Sequence, residues 1–112
     1  MKRIAIVEDN PDNLMLAEAI LSPSFDIVSF ENGPDALLAL PDLNVDLVLL
    51  DISLPRMDGV AVLESIRQDE RIKNLPVVAL TAHAMVGDRE KYLAKGFNEY
   101  ITTPIVDFNA LI

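Results

Sequence analysis

The chain has 112 residues, room for one domain (1–112) and not two, and 51% of them are hydrophobic, which provides for a packed core and argues against disorder. A net charge of −9 and a pI near 4.3 exclude nucleic acid and anionic lipid as direct partners of its surface. The lack of cysteine excludes a disulfide framework, a thiolate metal site and a thiol nucleophile, and fits a cytoplasmic location.

In chain order, the start MKRIAIVED holds a short apolar run, Ile4 to Val7, before two acids. That is too short for a signal peptide or a membrane span, and reads as a first strand. Leu14, Ala17 and Leu21 share one helical face, so a helix is expected from near Pro11, capped by Asp9 or Asn10. Ile27 to Phe30 reads as the second strand, Gly33 as a turn, and Pro34 to Leu40 as a helix ended by Pro41. Leu47 to Leu50 is the third strand, with Asp51 directly after it. Asp58-Gly59 reads as a turn and helix start, followed by the face Val60, Leu63 and Ile66. Val77 to Leu80 is the fourth strand. Val86, Tyr92 and Leu93 suggest a fourth helix, Gly96 a turn, and Tyr100-Ile101 the fifth strand. Met57 and Met85 read as packing residues. Eight residues follow Pro104, so a fifth helix could run no more than about two turns. Ile101, Ile105, Phe108, Leu111 and Ile112 would then leave an apolar patch suited to self-association.

Three of the apolar runs are continuous rather than alternating, as in strands covered on both faces. With strand and helix alternating, the pattern is α/β with right-handed crossovers and a parallel sheet.

Function in open α/β sheets collects at the carboxyl ends of the strands. Those ends read Glu8-Asp9, Asp51, Thr81 and Thr102-Thr103. If the first and third strands are neighbours, three carboxylates share one crevice. They would raise one another's pKa unless a cation sat among them, and a hard divalent ion with oxygen ligands, Mg²⁺, is the natural candidate. Helix capping accounts for acids near Pro11 but not for Asp51. The acids in the loop Glu8 to Asn13 would repel a phosphate rather than cradle one, which argues against a flavin or nucleotide binder.

Four stretches carry a resemblance: IVEDN at Ile6 to Asn10, LVLLDISLPRMDG at Leu47 to Gly59, VVALTAHAM at Val77 to Met85, and TTPI at Thr102 to Ile105. Their order and spacing over nearly the whole chain resemble the receiver domains of two-component response regulators, the CheY-like family. The resemblance implies a doubly wound, flavodoxin-like sheet of five parallel strands in the order 2-1-3-4-5. It implies that Asp51 is the phosphoacceptor, that Asp9, Asp51 and the Ser53 backbone carbonyl hold Mg²⁺, and that Glu8 acts on the metal through water. Thr81 and Tyr100 would be the switch pair. Ser53 and His83 would tune loss of the phosphoryl group. The implied donor is a sensor histidine kinase or a histidine phosphotransfer protein, and the implied role is a signalling phosphoacceptor rather than an enzyme.

One position departs from the family. The lysine expected before the last proline is Thr103, and Lys95 is not a substitute. A cis Thr103–Pro104 bond is still expected, because proline sets that preference. The departure keeps a second reading open, a degenerate receiver that binds a partner without phosphorylation. A Mg²⁺-dependent phosphohydrolase would want a second acid two residues after the nucleophile, where Ser53 stands.

Overall fold

The computed structural model describes residues 1–54, 57–81 and 85–102. His83, Thr103, the Thr103–Pro104 bond, the short fifth helix and most of the C-terminal apolar patch lie outside the described residues.

Five strands form one parallel sheet in the order β2-β1-β3-β4-β5: β1 Arg3–Val7, β2 Asp26–Phe30, β3 Leu47–Asp51, β4 Val77–Thr81 and β5 Glu99–Thr102. The helices between them are α1 Pro11–Leu21, α2 Gly33–Ala39, α3 Gly59–Gln68 and α4 Asp88–Ala94. The predicted doubly wound order is therefore the observed one.

The continuous apolar runs divide by alternate residues between two cores, as the two-residue repeat of a strand requires. Ala5, Val7, Val48, Leu50, Val77 and Ala79 pack with Ala36, Val62, Leu63, Ile66 and Phe97 on the face of α2 and α3. Ile4, Ile6, Leu49, Val78 and Leu80 pack with Ala17 and Leu21 of α1 on the other face, where Ile101 also packs.

Local chemistry starts the helices. Asn10 accepts the Asp12 and Asn13 amides at 2.9 and 3.2 Å ahead of Pro11, so the cap is Asn10 and not Asp9. Asn32 and Asp58 cap α2 and α3 in the same way.

The structure corrects several expectations. Pro41 does not stop the chain cleanly after α2. It sits inside a 3₁₀ turn, Leu40–Asp42, where its missing N–H leaves no orphan acceptor. Strands β2 and β5 extend outward onto Asp26 and Glu99, polar residues that an apolar run cannot reveal. Val86 lies ahead of α4 and is fully exposed, and Met85 is exposed rather than packed, because Gly87 turns the chain with φ +87° before the helix begins. Met57 does pack against the α2–α3 core.

Candidate functional site

Because β1 lies between β2 and β3, the ends of β1 and β3 are adjacent: Val7 pairs with Leu50, and the next residues are Glu8 and Asp51. Glu8 is held by its amide, which donates to the Phe30 carbonyl at 3.0 Å. On the other side of Asp51, the Ile52 amide donates to the Leu80 carbonyl at 3.1 Å, and Thr81 pairs with Thr102.

Each side of the site is braced locally. The Asn10 amide donates to Glu8 Oε1 at 3.1 Å, and the Ser53 amide donates to Asp51 Oδ1 at 2.9 Å. Gly59 closes the loop after β3, its amide bonding the Ile52 carbonyl at 3.3 Å. A Cβ on Gly59 would lie 2.6 Å from both the Asp51 carbonyl oxygen and the Ile52 Cα, so only glycine lets α3 sit this close behind the acid. In the sequence Gly59 reads as a turn residue; backbone contact of this kind leaves no mark there.

Glu8, Asp9 and Asp51 each bring a carboxylate oxygen within 4.8 Å of the others. Glu8 and Asp51 are almost wholly buried and Asp9 is exposed. Among the described residues no lysine or arginine pairs with the three. Burial pushes the Glu8 carboxyl up to about 8, against its Asn10 hydrogen bond and with help from Asp51, to which it is hydrogen-bonded. Burial also raises Asp51, opposed by the Ser53 amide and by Glu8. Burial thus makes both carboxyls weaker acids than free ones. A donor set of three hard oxygens, starved of positive charge, fits a divalent cation such as Mg²⁺.

The remaining predicted residues fall as follows. Ser53 is exposed beside Asp51. Thr81 ends β4 and is buried. Tyr100 pairs with Ala79, so Tyr100 and Thr81 project from the same face of the sheet, two register pairs apart. His83 and Thr103 are outside the described residues.

The profile of the response regulator receiver domain family matches residues 4–112, and the chain belongs to that family. It is 41% identical over 107 residues to the sensor protein GacS of Pseudomonas syringae pv. syringae, covering 92% of this chain but only 12% of that protein. It is 36% identical over 105 residues to the polar-differentiation response regulator DivK of Brucella anthropi, covering 93% of this chain and 85% of that one. Among solved structures it resembles the receiver domain of the sensor histidine kinase PA1611 from Pseudomonas aeruginosa, which has a magnesium ion coordinated in its active-site cleft. There the TM-score is 0.83 at 36% identity, over 94% of this chain and 87% of that one. Among the described residues no helix is long and apolar enough to cross a membrane.

Proposed function

We propose that this receiver domain accepts a phosphoryl group on Asp51 from a phosphohistidine of a sensor kinase or a histidine phosphotransfer protein, in a Mg²⁺-dependent step. The observation that carries the reading is the convergence of Glu8, Asp9 and Asp51 within 4.8 Å at the carboxyl ends of adjacent strands, with no paired cation among the described residues. An Asp51 oxygen would attack phosphorus as the P–N bond to histidine breaks and its electron pair returns to the imidazole nitrogen. Phosphoryl transfer of this kind needs alignment and charge neutralisation more than covalent help.

The residues supply the alignment. The Ser53 amide fixes one Asp51 oxygen and leaves the other to react. Gly59 lets the start of α3 press against the backbone of Asp51 and Ile52. Asp9, Asp51 and the Ser53 carbonyl would hold Mg²⁺, with Glu8 acting through water; the ion would draw charge off the phosphoryl oxygens. Thr81 would bond the phosphoryl group once it has arrived and Tyr100 would respond, while Ser53 and His83 would set how fast water removes the group. The outcome is a signal held on Asp51 rather than a released product, so the domain works as a phosphoacceptor and not as a turnover enzyme. The magnesium in the PA1611 receiver and the sensor-kinase relatives support both the ion and the donor class.

Intact mass after incubation with a small phosphodonor and Mg²⁺ tests the proposal. One added phosphoryl group is expected, lost in Asp51→Asn, and Asp9→Ala should abolish Mg²⁺ binding by titration. No mass gain in the parent chain would leave the phosphorylation-independent binding module as the better account.

A further inference from the structure

On the α2–α3 face of the sheet, among the described residues, three rings meet that phosphoryl chemistry does not require. Tyr100 of β5 stacks on Tyr92 of α4, centroids 5.8 Å apart and planes 7° from parallel. Phe97 meets Tyr92 edge-on at 6.0 Å and 78°. Lys91 Nζ lies 5.2 Å from the Tyr92 centroid. These are separations at which ring pairs and cation–ring contacts attract. No residue of α4 is buried, so the rings, together with the Arg89–Glu99 ion pair, join this short helix to the sheet edge.

Tyr100 sits in a costly position. Its hydroxyl is shut off from water and has no hydrogen-bond partner among the described residues. A covered, unpartnered hydroxyl is disfavoured, and left alone the ring would gain by turning its oxygen out to water. Among the described residues, the ring placed to offset that is Tyr92.

We propose that Tyr92 is a positioning residue that holds the Tyr100 ring in its covered orientation in the resting chain, and so sets how much of the switch remains to be thrown on phosphorylation. The hold itself is independent of the chemistry at Asp51. Its effect on switching rests on the reading of Asp51 and Tyr100 given above. A ligand shifts an equilibrium only by its difference in affinity for the two states, so a ring already drawn in leaves a smaller shift to make.

The test is the χ1 population of Tyr100, from side-chain couplings in tyrosine-labelled full chain. Wild type, Tyr92→Phe and Tyr92→Leu are compared, with and without beryllofluoride plus Mg²⁺ as a phosphoryl mimic. Tyr92→Phe keeps the ring and should match wild type. Tyr92→Leu keeps apolar bulk without the ring, and its outward Tyr100 population should rise roughly two- to tenfold. The mimic should then draw Tyr100 inward by a larger step in the leucine variant than in wild type. Tyr92→Met replaces Tyr92→Leu if the latter does not fold. An unchanged χ1 population without the mimic overturns the hold. A mimic that binds and moves Tyr100 equally in both chains overturns its effect on switching. Failure of the mimic to bind wild type counts against the Asp51 reading, while the mimic-free comparison still decides the role of Tyr92.

Discussion

The two ends of the sheet handle charge in opposite ways. At the amino ends of the strands, Arg3 pairs with Asp26 at 2.8 Å and donates to the Leu43 carbonyl, while its amide bonds Asp46 at 2.8 Å. Arg67, at the end of α3, donates to the carbonyls of Lys73, Leu75 and Gly96 at 3.0, 2.6 and 3.0 Å and to Asn98 Oδ1 at 2.9 Å. Asn98 in turn accepts the Val77 amide at 2.8 Å. Both arginines complete the hydrogen bonding of loops. At the carboxyl ends three acids are gathered, and among the described residues no cation answers them. Charge at the first end serves the fold. At the second it is met by the Asn10 and Ser53 amides but by no opposite charge among the described residues, which is where chemistry is to be sought.

The comparison can be broken most severely at the acidic end. Asp51→Asn should abolish phosphoryl uptake by intact mass yet leave the protein as stable as wild type or more so in metal-free buffer, because it removes a carboxyl whose charged form burial disfavours. Loss of stability in that variant would mean the acid serves the fold after all.

Arg67→Ala should do the reverse. It should cost about 2–3 kcal/mol in urea unfolding by stranding several carbonyls, while phosphoryl uptake at low temperature stays near wild type. A large loss of uptake in the folded variant would show that the two ends are not separate.

A pH titration sharpens the contrast without a mutation. The Glu8 pKa lies near 8 in the folded chain against 4.5 ordinarily, so its stabilising contribution is whole below about 4.5 and is lost as pH rises through about 8. Metal-free stability should therefore fall between these limits, and Mg²⁺ should restore more of it at pH 8 than at pH 6. Denaturation midpoints at the two pH values decide it, and a flat metal-free profile would contradict the raised Glu8 pKa.

The smallest effect is expected from Lys73→Ala. Its 2.8 Å pair with Glu70 is exposed, and the thermal midpoint should not move measurably.

Much of this is legible in the sequence. Continuous runs such as Leu47 to Leu50 report burial on both faces, and an acid directly after such a run has no packing use, so Asp51 stood out at once. Glu8 and Asp9 followed once β1 and β3 were taken as neighbours. What escaped was whatever depends on tertiary approach. The apparent face containing Val86 was an accident of spacing, broken by the left-handed turn at Gly87. Arg67 looks like any surface arginine until the loops before β4 and β5 arrive beside it. Tyr92 and Tyr100 lie on different elements, and nothing in their order foretells a stack. The depth of Glu8, and with it the raised pKa, depends on tertiary burial that a sequence does not display.

The placement of β1 between β2 and β3 also divides labour along the chain. Every acid of the cluster, and the glycine pressed behind it, lies before the end of α3; Thr81, Tyr92 and Tyr100 all lie after. A single cut in the loop between Gln68 and Val77 would put the acceptor on one fragment and the groups proposed to sense it on the other. If two such pieces reassembled, the proposed capture of a phosphoryl group and the proposed response to it would be carried by separate polypeptides.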